Sequence, residues 1–184
     1  MANIAIPYFS ANGHTHALAE HIAGGLGEAD CSARLIDVTQ MGDLDWQAME
    51  ASDVILFGTP TYMGSAAAEF KLFMDRSSDL WVDRLWADKL AGGFTVATYP
   101  SGDKLSTLIQ LSVFAAQHGM LWVGQDLVGA PVNAAAEGTN QTGAWLGLAA
   151  QSARGAGALI APEDLETARL FGHRIARAAH RWVG

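Results

Sequence analysis

The sequence predicts an α/β fold built on a parallel β-sheet, in a single domain spanning residues 1–184. Short apolar runs alternate with longer segments of helical periodicity, which is the pattern of strands joined by crossover helices. Residues 54–58 (VILFG) are continuously apolar, as expected for a central strand covered on both faces. Half of the residues are hydrophobic, so a chain of this length can bury a sizeable core.

In the first half of the chain, strands are predicted at residues 3–9, 33–38 and 54–58, and helices at 16–26, 44–51 and 69–77. The first helix places Leu18, Ile22 and Leu26 on one face, and the third has Phe70 and Phe73 at core spacing. The strand at 33–38 is the weakest of the three. This half therefore predicts two successive strand–helix–strand units.

In the second half, strands are predicted at residues 90–97 and from 121–124, and helices at 105–118 and 162–183. Pro162 suits the first turn of the last helix, and Glu163 and Asp164 lie at the positive end of its dipole. Residues 129–158 are rich in Gly and Ala and break the regular alternation. We interpret them as an insertion at an interface or a pocket rim, with a tolerated surface loop as the alternative.

Composition and missing motifs argue against several functional classes. A net charge of −8, with eleven Lys and Arg and no basic cluster, argues against binding to nucleic acid or anionic membranes. Cys31 is the only cysteine, so neither an internal disulfide nor a Cys-rich metal site is expected. No signal peptide or membrane-spanning run is visible, which predicts a cytoplasmic protein. The Gly-x-Ser-x-Gly and His-Glu-x-x-His motifs are absent, so neither a hydrolase nor a metal site is predicted.

The first candidate loop, residues 10–15, follows the first strand. Ligands of parallel sheets bind at the carboxyl ends of the strands, so this position favours a binding site. Ser10, Asn12 and Thr15 offer polar side chains, Gly13 is flexible, and the amides of a helix start can bind a phosphate without a lysine. The alternative is an ordinary polar turn with Thr15 as the N-cap.

Two further loops after strands have a common chemistry. Residues 59–64 combine a stiff Pro60 and a flexible Gly64 with the apolar surface of Tyr62 and Met63, which suits a flat aromatic ligand. Residues 98–103 again provide an aromatic, a proline, a glycine and hydroxyl groups. Each loop alone is compatible with a surface turn, but the three together predict a three-sided pocket.

The whole chain resembles flavodoxin-like proteins, and specifically the tryptophan-repressor-binding protein family of NAD(P)H:quinone oxidoreductases. The matching stretches are YFSANGHTHALA, VILFGTPTYMGSAAAEFKLFMDR and QHGMLWVG, and the second is the most specific. The resemblance implies a doubly wound sheet of five parallel strands in the order 2-1-3-4-5, with helices on both faces. It also implies FMN as cofactor, NADH or NADPH as electron donor, and a homo-oligomer, typically a tetramer.

The resemblance also implies roles for individual residues. Ser10, Asn12, Gly13, His14 and Thr15 would hold the FMN phosphate, Pro60, Thr61, Tyr62, Met63 and Gly64 would line the ribityl chain and ring, and Ser101, Gly102 and Asp103 would complete the ring pocket. His118 matches a histidine near the flavin ring, often from a neighbouring subunit, and Trp81 matches an aromatic of that pocket. His118 and Tyr62 are the catalytic candidates. The alternatives are a helix C-cap for His118 and a structural indole for Trp81.

Two departures from the family pattern lie in the second and third loops, which would contact the flavin ring. Typical members carry Arg-Phe in place of Tyr62-Met63, and a Gly-rich third loop in place of residues 100–103, which leaves the electron donor and acceptor open. The predicted function is an FMN-dependent oxidoreductase that passes electrons from NAD(P)H to a quinone-like acceptor by a ping-pong mechanism. A flavodoxin-type electron carrier and a flavin-free regulatory module are the alternatives.

Overall fold

The computed structural model describes residues 1–152 and 159–184, and these ranges form the predicted α/β architecture. The strands are β1 Asn3–Tyr8, β2 Ser32–Asp37, β3 Val54–Tyr62, β4 Ser65–Ala66, β5 Leu90–Ala97, β6 Leu121–Trp122 and β7 Leu148–Gln151. The α-helices are α1 His14–Glu28, α2 Asp43–Glu50, α3 Ala68–Arg76, α4 Ser78–Val82, α5 Lys104–Gln117 and α6 Pro162–Val183. A 3₁₀ turn covers Ala134–Ala136.

The sheet has the strand order β2-β1-β3-β5-β6, and neighbouring strands along this path are parallel. Numbered by the five predicted strands, this is the expected order 2-1-3-4-5, so the predicted order is confirmed, whereas the described residues form seven strands and not five. Two short strands lie off this path. β4 pairs antiparallel with β3, and β7 pairs parallel with β5.

Helices cover both faces of the sheet, and each face has its own core. On one face α1 and α6 bury Leu18, Ile22 and Phe171 against β1, β3 and β5. On the other face, the core contains Phe70 and Phe114 from α3 and α5. Within the described ranges, no helix is both long and apolar enough to cross a membrane.

The third strand is longer than predicted, because β3 continues through residues 59–62 instead of ending at Gly58. Pro60 pairs in register with Val96, and Thr59 and Thr61 are buried. Threonine hydroxyls in a buried strand need partners from other elements, and local sequence does not reveal these partners. The segment read as a loop is therefore the end of a central strand.

The fifth strand is split between two segments of the chain. β6 pairs with the beginning of β5, at Leu90 and Ala91, and β7 pairs with its second half, residues 94–97. The prediction of residues 129–158 as an insertion is thus wrong for residues 148–151, which complete the sheet. Residues 153–158 of the predicted insertion lie outside the described residues.

Candidate functional site

A cleft of about 150 Å³ lies where β1, β3 and β5 reach their carboxyl ends. Its lining residues come from the three predicted loops, from the end of β5 and from the residue after β7. They are Ser10, Ala11, Asn12, His14, Thr15, Pro60, Thr61, Tyr62, Val96, Ala97, Thr98 and Ser152. The structure thus brings together seven predicted residues of the first two loops. Val96 and Ala97 are the last two residues of the predicted fourth strand and Thr98 is the first residue of the third loop, so the end of that strand was the signal that could have identified them.

The first loop presents unpaired amides to the cleft. Gly13 precedes α1 with a φ of 85°, a left-handed conformation that glycine adopts readily. Because glycine has no side chain, none caps the helix at this position. The amide of His16 donates to Ser10 Oγ over 3.2 Å, and the amide of Ala17 donates to the Gly13 carbonyl. Within the described chain, this leaves the amides of His14 and Thr15 without partners, as is usual for a helix start. Gly13 is the N-cap, so the alternative with Thr15 in that role is wrong.

The electrostatics of the cleft depend on neutral groups. None of the described residues that line it is Asp, Glu, Lys or Arg, and His14 is the one lining side chain that can become a cation. Thr15 is almost fully buried at the floor. The positive end of the α1 dipole and hydrogen-bond donors therefore supply the attraction for an anion.

The second loop is a tight β-hairpin. Thr61 pairs with Ala66 and Tyr62 with Ser65, so Met63 and Gly64 are the two turn residues. Both have positive φ, at 48° and 79°, which is typical of a type I′ turn. The hairpin leaves the Tyr62 ring 44% exposed beside the cleft and the Met63 side chain fully exposed. Met63 and Gly64 are not among the lining residues of the cleft.

Buried hydroxyl groups fix the position of this hairpin. Thr61 Oγ1 lies 2.8 Å from Thr95 Oγ1 and 2.8 Å from Thr107 Oγ1, which links β3 to β5 and α5. Nearby, the amide of Ala66 donates to Gln110 Oε1 over 2.9 Å. We define Thr61, Thr95 and Thr107 as the threonine network. It holds one wall of the cleft rigidly against the sheet.

The third loop divides between two surfaces. Ala97 and Thr98 line the cleft, whereas Ser101 and Asp103 line a separate groove along α5. Gly102 lies between them with a φ of 53° and is in neither lining set. The predicted contribution of Ser101, Gly102 and Asp103 to a ring pocket remains a prediction.

The end of β7 completes the cleft, through contacts that sequence reasoning missed. The amide of Ser152 donates to the Ala97 carbonyl over 3.0 Å, and Gln151 Nε2 donates to the Thr98 carbonyl over 2.8 Å. The amide of Gln151 in turn donates to Asp164 Oδ2 over 2.7 Å. These contacts join distant parts of the chain, so no local signal identifies Ser152.

Two buried charges support β7 from below. Lys104 is 2% exposed, and its Nζ donates to the Ala150 carbonyl over 2.9 Å. Burial lowers the pKa of Lys104, and the charge of Asp164 opposes that shift. Burial raises the pKa of Asp164, while the hydrogen bond from the Gln151 amide and the charge of Lys104 oppose the rise. Each group thus favours the charged form of the other across the gap between α5 and α6.

His118 does not line the cleft of its own chain, and its predicted contact with a flavin ring, often that of a neighbouring subunit, stays a prediction. It directly follows α5, a helix of 14 residues that starts beside the third loop and extends for roughly 20 Å. The imidazole is 5% exposed and lies 4.4 Å from the Trp86 ring, centroid to centroid. The C-cap alternative describes its position correctly.

The hydrogen bonds of His118 assign its tautomer. Ser77 Oγ donates to the Met74 carbonyl, so it must accept the hydrogen bond from His118 Nε2 at 2.9 Å. Nδ1 is then unprotonated and, among the described residues, has no partner. Burial lowers the pKa of His118 from 6.5 to about 4. Trp81 is 48% exposed on α4 and does not line the cleft either.

The chain is similar to flavin proteins over the segments that build the cleft. Residues 8–134 match the family model described as NADPH-dependent FMN reductase. Flavodoxin FldP of Pseudomonas aeruginosa is 39% identical over 184 residues, covering 96% of each chain. An NAD(P)H dehydrogenase (quinone) of Geobacter sulfurreducens is 31% identical over 144 residues, covering 66% of this chain and 71% of the relative. The crystal structure of the flavodoxin, WrbA-like protein of Agrobacterium tumefaciens has a TM-score of 0.77 at 38% identity, covering 98% of this chain and 99% of that one.

Proposed function

Because the chain belongs to the NADPH-dependent FMN reductase family, we propose that it holds FMN in the cleft and passes electrons from NAD(P)H to a quinone-like acceptor. In the balanced reaction, NAD(P)H and one proton reduce a quinone to the hydroquinone and leave NAD(P)⁺. The observation that carries the proposal is the convergence of the loops after β1, β3 and β5 on one cleft. Parallel sheets place ligand sites at this edge.

The first loop suits the phosphate of FMN. The amides of His14 and Thr15 point from a helix start, and Ser10, Asn12 and Thr15 add polar side chains. Among the described lining residues there is no carboxylate to repel a phosphate dianion. We therefore assign Ser10, Asn12, Gly13, His14 and Thr15 to the phosphate end.

The second loop suits the ribityl chain and the ring. When bound, FMN supplies the centre that accepts a hydride from the donor and returns electrons to the acceptor. Pro60 and Thr61 line the inner wall, and Tyr62 offers an exposed aromatic face at the mouth. The role of Tyr62 in this proposal is to orient the ring and to exclude water from one face of it.

We further propose that donor and acceptor occupy the same open place in turn, which gives ping-pong kinetics. The protein would act in the cytoplasm as a homo-oligomer, with the half-exposed Trp81 available for a subunit contact. Parallel lines in initial-rate plots support the shared place, and intersecting lines contradict it.

A flavodoxin-type electron carrier is the second candidate, because the relative that is 39% identical is named a flavodoxin. Such a carrier exchanges electrons with protein partners and reduces no quinone at a useful rate. A flavin-free regulatory module is a third candidate and requires that the cleft bind no FMN.

Anaerobic reduction separates these candidates. The FMN-loaded protein is mixed with NADH or NADPH, and a benzoquinone is then added while the flavin absorbance is followed. Rapid bleaching followed by rapid reoxidation supports the oxidoreductase. Bleaching only by a protein reductase supports the carrier, and failure to take up FMN supports the regulatory module.

A further inference from the structure

A second concave surface, here called the α5 groove, has a volume of about 880 Å³. It lies between α5 and the segment of residues 142–146, with Ala149 of β7 also in its lining. This volume falls within the range of roughly 300–1,000 Å³ that small-molecule sites occupy. The α5 groove is therefore large enough for a substrate or for part of one.

The walls of the α5 groove are mainly apolar and accessible. Leu105 and Ile109 of α5 are 61% and 47% exposed, and Trp145 is 53% exposed on the opposite wall. Leu108 is buried beneath them. Large apolar side chains exposed around a concave surface are typical of a site that binds an apolar group.

The charges of the α5 groove disfavour an anionic occupant. Asp103 and Lys104 are the charged residues among its described lining. Lys104 is 2% exposed and donates to the Ala150 carbonyl, so its ammonium is not presented to a ligand, whereas Asp103 is exposed at the mouth. The phosphates of NADH or NADPH would meet no accessible cation there, whereas a neutral apolar group needs none.

The α5 groove and the cleft share the third loop. Ala97 and Thr98 line the cleft, and Pro100 and Ser101 line the groove, with only residue 99 between the two pairs. Along the chain, one residue of the third loop therefore separates the two surfaces.

We propose that the α5 groove binds the apolar side chain of a quinone acceptor, while the quinone ring lies at the mouth of the cleft, beside the FMN that the cleft holds. The inference rests on the proposed function and narrows its substrate class from quinones in general to quinones with a long alkyl or isoprenoid chain. The groove binds only the chain, and the electron transfer takes place at the cleft.

The test compares a dimethoxy-methyl-benzoquinone with its decyl derivative, which has the same ring and an added chain. The FMN-loaded wild type should have a KM for the decyl quinone at least about tenfold lower, a factor that burial of about two methylene groups supplies. Ile109→Glu places a charge in the groove and should remove this difference while leaving the KM for the short quinone unchanged. Leu72→Glu is the matched control, because Leu72 is 60% exposed on α3, outside the groove.

Four results would overturn the proposal. Equal KM values for the two quinones in the wild type, or an equal loss of preference in Leu72→Glu, overturn the groove and leave quinone reduction intact. If Ile109→Glu instead converts an oligomer to a monomer in sedimentation, the groove is covered by a second copy of the chain and the proposal fails. If neither quinone is reduced, the proposed function fails together with it.

Discussion

Replacement of Thr107 by valine tests whether the threonine network holds the cleft wall. Thr107 is fully buried on α5, and its hydroxyl contacts Thr61, which itself contacts Thr95. Valine has almost the same shape as threonine, so the change removes one hydroxyl without opening a cavity. Thr61 keeps Thr95 as a partner and is not left unpaired.

The expected loss follows from counting hydrogen bonds. One buried hydrogen bond contributes about 1 kcal/mol net, so Thr107→Val should lower the free energy of unfolding by about 1 kcal/mol. Thr61→Val removes both contacts and leaves two hydroxyls unpaired, so it should cost at least about 2 kcal/mol. In the double variant, Thr107→Val removes no further hydrogen bond, because Thr61→Val has already removed the one between these two residues. The double variant should therefore fall about 1 kcal/mol short of additivity.

Urea unfolding of the FMN-free protein measures these values, with Thr107→Ser as the control that keeps the hydroxyl. The FMN affinity of Thr107→Val is measured alongside, since Thr61 lines the cleft and Thr107 does not. Weaker FMN binding by Thr107→Val is expected, with recovery in Thr107→Ser. Additive losses in the double variant, or a serine as costly as the valine, would refute the reasoning.

Three further predictions concern the phosphate end, the hairpin and the buried imidazole. Thr15→Val should weaken FMN binding at least about tenfold, because a hydrogen bond to a charged group contributes about 1.5–3 kcal/mol. Riboflavin lacks the phosphate and serves as the control, and its affinity should not change. Met63→Gly should stabilise the protein by about 1 kcal/mol in urea unfolding. Met63 is fully exposed at a φ of 48°, and this left-handed backbone conformation costs a residue with a side chain about 1–2 kcal/mol. A loss of stability would contradict this prediction. The folded-state pKa of His118 lies below the unfolded value of 6.5, at about 4, so the folded state resists protonation and this contribution to stability is complete above pH 6.5. It is lost as the pH falls from 6.5 towards 4, by about 3 kcal/mol in total. The stability difference between wild type and His118→Asn should shrink over that window, and a constant difference would argue against a buried neutral imidazole.

Much of the fold could be predicted because its elements have local signatures. The limits of β5 and α6 agree with the prediction at both ends. β7 could not be predicted, since residues 148–151 are a strand only through pairing with β5 across more than fifty residues of chain. The extension of β3 depends in the same way on partners of Thr59 and Thr61 in other elements.

The site was predictable to the extent that it follows strand ends. The loops after β1 and β3 meet as expected, since parallel strands deliver their carboxyl ends to one edge. Ser152 reaches the cleft through hydrogen bonds from β7 to the third loop, a distant pairing that periodicity does not encode. Motif similarity gives no information on burial, so the sequence could not show that the His118 ring lies against Trp86.

Because the fifth strand is split between two segments of the chain, the cleft is completed late in protein synthesis. The residues of the first loop, the hairpin and α5 are synthesised before β7 and α6. The Ser152 wall still requires Asp164 of α6, which accepts the hydrogen bond from the Gln151 amide. Until then the second half of β5 is an open sheet edge, the kind of surface that promotes association between unfinished chains. A nascent chain that stalls before residue 164 therefore lacks one wall of the flavin site and can aggregate through the same sheet edge.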